Sequence, residues 1–186
     1  MKEVNGIDTD ALSTVIESFK EADGRSEFVF RTRTRWLGGG HSKTTIKGFS
    51  GAFQEHDSRQ FELEADEPRV LLGADSAPNP VEHLLQSLAA CLTGSMAYHA
   101  AARGIEIHAC ECTLRGEIDI RGFLGVAPEV RRGFRHIEVR FQVESDAPAG
   151  KLSELARFSP VLDVVQHGTV VDLQVETIPI KAEAPA

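Results

Sequence analysis

Residues 79–104 read N-P-V-E-H-L-L-Q-S-L-A-A-C-L-T-G-S-M-A-Y-H-A-A-A-R-G, a pattern that predicts one long helix. Asn79 suits the N-cap because its side chain can accept an orphan backbone N–H, and Pro80 suits the first helical position because its missing N–H is not needed there. Gly104 supplies the stop, with Arg103 in the last turn, where a cation complements the helix dipole. Between these signals Leu84, Leu85, Leu88, Ala89, Cys91, Leu92, Met96 and the run Ala100 to Ala102 leave little polar surface, so the helix is expected to be surrounded by other elements. It carries a single thiol, Cys91.

Upstream, Ile7, Ala11, Leu12, Val15, Ile16 and Phe19 recur at helical spacing, with Asp8 or Thr9 as cap and Asp23-Gly24 as stop. Phe28 to Trp36 alternates Phe28, Phe30, Thr32, Thr34 and Trp36 against Val29, Arg31, Arg33 and Arg35, which predicts a half-buried strand with a basic second face. Gly38, Gly39 and Gly40 make the turn. Thr44 to Phe53 and Phe61 to Ala65 are further strands, Val70 to Leu72 a short fourth one, and Gly73 to Pro80 a connection.

Downstream, Ile105 to Ile120 reads as a long strand with a phase change near Ala109 that suggests a bulge. Arg121 to Gly133 is a glycine-rich connection, and Phe134 to Glu144 returns as the antiparallel partner. Short helices follow over Gly150 to Phe158 and from Ser159-Pro160 through Val165, then a last strand over Val170 to Ile180. Ala182 to Ala186 reads as a frayed tail. Antiparallel runs of strands with few helices argue α+β rather than a parallel doubly wound fold. The division expected is a helical extension over residues 1–26 and one domain over 27–182.

The chain has 186 residues, a formal charge of −8 and a pI near 5.4. That balance argues against a nucleic-acid surface, which needs clustered Lys and Arg. The apolar window Leu84 to Ala102 is interrupted by Gln86, Ser87, Thr93, Ser95 and His99, so it reads as a core helix rather than a membrane span. Met1 to Glu27 holds no hydrophobic block of the signal-peptide kind, which points to the cytoplasm. Three cysteines, an odd number, fit a reducing compartment.

A thiol reacts as its thiolate and needs a cation, a helix N-terminus or a base to favour that form. Cys91 lies about three turns inside its helix, beyond the reach of the dipole, so activation must come from other elements. The plain alternative is a small core hydrophobe. Cys110 and Cys112 share one strand face, where a bridge between them would be strained, and with His108 they fall short of the four ligands of structural zinc. Packing is their favoured role. Neither a metal nor a cofactor is expected.

The helix motif N-P-V-E-H-L-L-Q-S-L-A-A-C-L-T-G-S, the C-terminal S-P-V-L-D-V-V and the strand-rich first third together resemble the OsmC/Ohr family of thiol peroxidases over roughly Phe28 to Ile180. The resemblance implies an OsmC-like α+β fold: antiparallel sheets around a long central helix, in an intertwined homodimer whose sheets take strands from both subunits. It implies that Cys91 is the peroxidatic thiol of a hydroperoxide reductase serving oxidative stress defence, regenerated by an external thiol reductant. The family's resolving cysteine is replaced by Ser159, which also suits an N-cap before Pro160. The family's helix glutamate is displaced by one place to Glu82, behind Val81. Its activating arginine, in the turn after the first strand, would be replaced by His41 or Lys43, with Arg35 in reach of an anion. Cys110 or Cys112 would stand in as resolving thiol, because Gly104 folds their strand back on the helix. Tyr98 and His99 follow Cys91 by two turns, His99 as a hydrogen-bonded core residue. The alternatives are a non-catalytic dimer binding a small apolar or electrophilic ligand, and a purely structural dimer.

Overall fold

A computed structural model of the chain describes residues 2–20 and 26–179. The hairpin β1 (Glu3–Val4) and β2 (Ile7–Asp8) leads into α1 (Thr9–Lys20). Asp8 is the cap, its carboxylate accepting the N–H groups of Asp10 and Ala11, both at 3.0 Å. The sequence-predicted stop at Asp23-Gly24 and the tail from Ala182 lie outside the described residues. An extension that reads as helix alone therefore begins with a hairpin, turned by Asn5-Gly6, both at positive φ. The Asn-Gly pair is the signal for it.

Next come β3 (Phe28–Gly38), β4 (His41–Gly51), β5 (Gln54–Glu55) and β6 (Gln60–Ala65), all antiparallel, with β4 between β3 and β6. The register places Thr32, Thr34 and Trp36 opposite Ile46, Thr44 and Ser42, and these opposite Phe61, Leu63 and Ala65. The other face carries Arg33 and Arg35, Thr45 and Lys43, Glu62 and Glu64. Gly48, at a positive φ of 58°, sits where the β3–β4 register slips between Phe30 and Thr32, as a glycine does in a bulge. Among the described residues none of these strands packs extensively on a helix, and Trp36 is 73% and Phe30 68% exposed. The apolar face of this sheet is thus uncovered in the single chain.

Val70 to Leu72 is not a strand. Arg69–Leu71 forms one 3-10 turn, because the buried carboxylate of Asp66 gathers the loop around itself. It accepts from the backbone N–H groups of Glu67, Ala74 and Ser76 and from the Ser76 hydroxyl, at 2.8 to 3.1 Å.

The central helix α2 spans Pro80–Ala101, with Asn79 as N-cap. Past its end Gly104 has φ 67°, as the sequence requires of a stop. Leu88, Leu92, Met96 and Ala100, spaced by four, form its buried stripe and pack on Leu152, Leu155 and Ala156. The sheet of β7 (Ala109–Glu117) and β8 (His136–Glu144) lies on the same core through Leu114, Val139, Phe141 and Val143. The expected bulge at Ala109 is the start of the strand itself. Ile105 and Ile107 are held outside it by the side chain of Asn5. The short α3 (Ile120–Phe123) follows β7, and α4 (Ala149–Ala156) and α5 (Pro160–His167) follow β8. Residues 170–179 form no strand: no neighbouring strand of this chain offers them a ladder, and Val171, Leu173 and Val175 are exposed. No described helix is long and apolar enough to cross a membrane.

Candidate functional site

Cys91 lies at the middle of α2 as a free, half-buried thiol. At 100° per residue it flanks the buried stripe, one turn beyond Leu88 and two beyond Leu84. α2, β8 and α5 enclose a groove of about 590 Å³ with a floor of Leu84, Leu88, Ile137 and Leu162 and with Arg131, Arg135 and His136 on its wall, and Cys91, one turn past Leu88, is not among its lining residues. It adjoins a second cavity of about 520 Å³ lined by Leu92, Met96, Phe141 and Leu152. Among the described residues no hydrogen bond or ion pair reaches the Cys91 sulfur.

The residues expected to serve that thiol are placed as follows. Glu82 closes a capping box: its carboxylate accepts the Asn79 N–H at 2.8 Å while the Asn79 side chain accepts the Glu82 N–H at 2.9 Å. Nine positions before Cys91, it is rotated by about half a turn to the opposite side of the helix. His41 pairs with Glu64 at 3.0 Å, and Lys43 with Glu62 at 2.8 Å. The Glu62 carboxylate raises the Lys43 pKa above its ordinary value. Arg35 stands directly opposite Lys43 on the basic sheet face, exposed and without an ion pair among the described residues. His41, Lys43 and Arg35 thus share one face of the sheet, and among the described residues none of them has a hydrogen bond or ion pair with Cys91.

Cys110 and Cys112 face the core from β7, opposite Val143 and Phe141. Burial pushes both thiols up, so they stay protonated, although a hydrogen bond with Thr93 draws Cys112 slightly back. Thr93 is two positions past Cys91, a rotation of about 200°. Cys112 thus touches α2 on the side away from Cys91, and within one chain neither strand thiol is positioned to resolve an oxidised Cys91.

Ser159 is 1% exposed, and its hydroxyl accepts the Leu162 N–H at 3.1 Å as the N-cap of α5. His99 stacks on Phe158 with ring centroids 3.9 Å apart and meets Arg103 at 3.3 Å. Burial, then the Arg103 charge, hold its pKa down. Tyr98 is exposed. No three His, Cys, Asp or Glu side chains among the described residues gather as a metal site. Two polar residues that organise the surroundings escape a reading based on apolar periodicity: Asp66, which shapes the entry to α2, and Asn5, which braces its far end.

Residues 73–174 match the sequence profile of the OsmC-like protein family. No curated protein sequence gives a significant match. Among solved structures, an OsmC like protein from Mycoplasma pneumoniae is 19% identical, with TM-score 0.53, covering 74% of this chain and 87% of its own. A Psychrobacter arcticus 273-4 protein, described as an osmotic stress induced and detoxification response protein, is 15% identical, with TM-score 0.54 and coverages of 74% and 88%. An OsmC-like protein from Vibrio cholerae is 12% identical, with TM-score 0.52 and coverages of 74% and 93%. At these identities the structures speak for the fold alone. The profile spans the buried helix, the sheet that packs on it and both C-terminal helices, and on that match the chain belongs to the OsmC-like protein family.

Proposed function

We propose that the protein is a thiol-dependent reductase of organic hydroperoxides or hydrogen peroxide, acting through Cys91 as its single redox cysteine in the cytoplasm. The observation that carries this reading is the free, half-buried Cys91 at the middle of the central helix, in a chain of this family. The thiolate attacks one oxygen of the peroxide and the O–O bond breaks. Cys91 becomes a sulfenic acid, and the departing alkoxide takes a proton to leave as alcohol. With Ser159 capping α5 and Cys112 on the far side of α2, no second thiol of the same chain completes a disulfide. An external dithiol returns the sulfenic acid to thiol, releasing water and becoming a disulfide itself.

The acting form is proposed to be a homodimer. Its support is the uncovered apolar face of β3, β4 and β6 together with the unpaired alternating segment over residues 170–178, which a second copy would cover. A second reading is favoured by the lack, among the described residues, of any cation bonded to Cys91: a dimer that binds a small apolar or electrophilic ligand without turnover.

Cumene hydroperoxide and hydrogen peroxide with a dithiol, tested on the wild type beside Cys91→Ser, Cys110→Ser and Cys112→Ser, separate the two. The expected result is turnover lost only in Cys91→Ser, with a sulfenic adduct trapped at Cys91 by a cyclic 1,3-dione. No turnover above buffer and no adduct would sink the peroxidase reading. Loss in a strand variant as well would assign a resolving role across subunits.

A further inference from the structure

The sheet of β3, β4 and β6 turns toward solvent a face that the thiol chemistry does not use. Arg33 and Arg35 share that face at alternate positions of β3, about 7 Å apart by strand geometry. Their direct partners on β4 are Thr45 and Lys43, and Lys47 continues the same side. With Arg31 these side chains line a concavity of about 480 Å³ in which Glu62 is the one carboxylate.

The charges there do not cancel. Arg31 is held by both oxygens of Glu55, at 3.1 and 3.3 Å, and Lys43 by Glu62 at 2.8 Å and Glu64 at 3.8 Å. Arg33, Arg35 and Lys47 have no ion pair or side-chain hydrogen bond among the described residues. Arg35 also stands directly across the ladder from Lys43, a like-charge pairing that costs stability. Acids outnumber bases in this chain, 28 to 20, so an uncompensated cluster of cations is against the trend of its own composition.

We propose that this face binds a small molecule through a diphosphate group. A guanidinium fork matches two oxygens of one phosphoryl group, and the three uncompensated cations Arg33, Arg35 and Lys47 exceed the charge of about −1.5 to −2 on one such group, so two linked groups match them better than one. Lys43 and Lys47 add point charges at the two ends, and the Thr45 hydroxyl lies between them as a further donor. An extended nucleic acid is disfavoured by the charge of −8 over the whole chain. The proposal is independent of the reading of Cys91.

The test is calorimetric titration of the full chain with inorganic pyrophosphate and, at matched ionic strength, with inorganic phosphate. Pyrophosphate should bind about tenfold or more tighter than phosphate. The double variant Arg33→Gln/Arg35→Gln should weaken pyrophosphate by about tenfold or more, on the order of one lost charge-assisted contact. Glu62→Gln should strengthen it several-fold, because it removes the carboxylate that lines the concavity and leaves Lys43 only its longer contact with Glu64, an opposite sign that damage to the fold would not give. Equal affinity for the two anions, no saturable heat up to about 10 mM pyrophosphate, or an unchanged affinity in the double variant would overturn the proposal. So would a double variant that weakens self-association and leaves anion binding untouched. That result would assign the face to an acidic segment of a second copy, such as the extended one carrying Asp172 and Glu176.

Discussion

Asn5 bolts the N-terminal hairpin to the far end of the central helix, and its replacement should be felt well beyond the hairpin. Its Oδ1 accepts the Ile107 N–H at 2.8 Å, and its Nδ2 donates to the Ile105 carbonyl at 3.0 Å and, at 3.5 Å, to the Ala97 carbonyl. Its φ is 56°, in the left-handed region, next to Gly6 at 74°. Alanine would strand a partly buried N–H and a carbonyl, a loss of about 1–2 kcal/mol, and would place a Cβ in a disfavoured conformation for about 1 kcal/mol more. Asn5→Ala should therefore destabilise by about 2–3 kcal/mol, lowering the midpoint of thermal unfolding by roughly 4–12 °C for a chain of this size. Asn5→Gly keeps the turn and removes only the bonds, so it should lose about 1–2 kcal/mol. Urea and thermal unfolding at one fixed protein concentration measure both. An Asn5→Ala protein within about 0.5 kcal/mol of the wild type, or an Asn5→Gly protein less stable than Asn5→Ala, would refute the reasoning.

Leu155, 1% exposed between α4 and α2, should cost about 2–5 kcal/mol when cut to alanine; a loss below about 1 kcal/mol in urea unfolding would contradict the packing described. The four donors around Asp66, the Ser76 hydroxyl first, hold its carboxyl below the usual range. Its contribution is therefore full above the unfolded value of about 3.9 and is lost as pH falls through the lower folded value. Asp66→Asn should remove that contribution at neutral pH and flatten the acid limb of the stability profile, and an acid limb identical to wild type would count against it. Gly73 has no room for a Cβ, which would fall on the Glu67 carbonyl. Gly73→Ala should force the loop open and admit limited proteolysis between Asp66 and Ser76, where the wild type resists.

The central helix and α5 were legible because each carries its own punctuation, whereas α3 lies where the sequence reads as a connection. Asn79-Pro80 and Ser159-Pro160 announce a cap and a first turn, and both serialise into the bonds the structure makes. Strand pairing was legible where two long alternating runs follow one another, as in β3 with β4 and β7 with β8, and was missed in the two-residue strands β1 and β2, too short to show alternation. The alternation of Val171, Leu173 and Val175 is as regular as that of β3, yet it forms no strand here. Alternation reports a side-chain pattern, while a strand needs a neighbour to accept its backbone bonds. Val70 to Leu72 misleads for a different reason. Three apolar residues read as strand, but a buried carboxylate next to them offers their loop a better set of partners than a ladder would.

The candidate site divides along the same line. Cys91 could be picked out because one thiol on one apolar helix is a local fact, and Glu82 could be seen to sit off register because one residue is a rotation of about 100°. The basic candidates could not be placed this way, since alternation assigns Arg35 to a face without saying which face meets the helix. The structure gives Trp36 to the apolar face and Arg35 to the other. If a second copy covers the apolar face, as proposed, Arg35 and Lys43 stay in solvent on the outer side of the sheet. The resemblance to thiol peroxidases asks one set of cations to lower the pKa of Cys91. The register of β3 and β4 instead turns Arg35 and Lys43 to the face opposite Trp36, where Lys43 pairs with Glu62, and among the described residues no cation is bonded to the Cys91 sulfur.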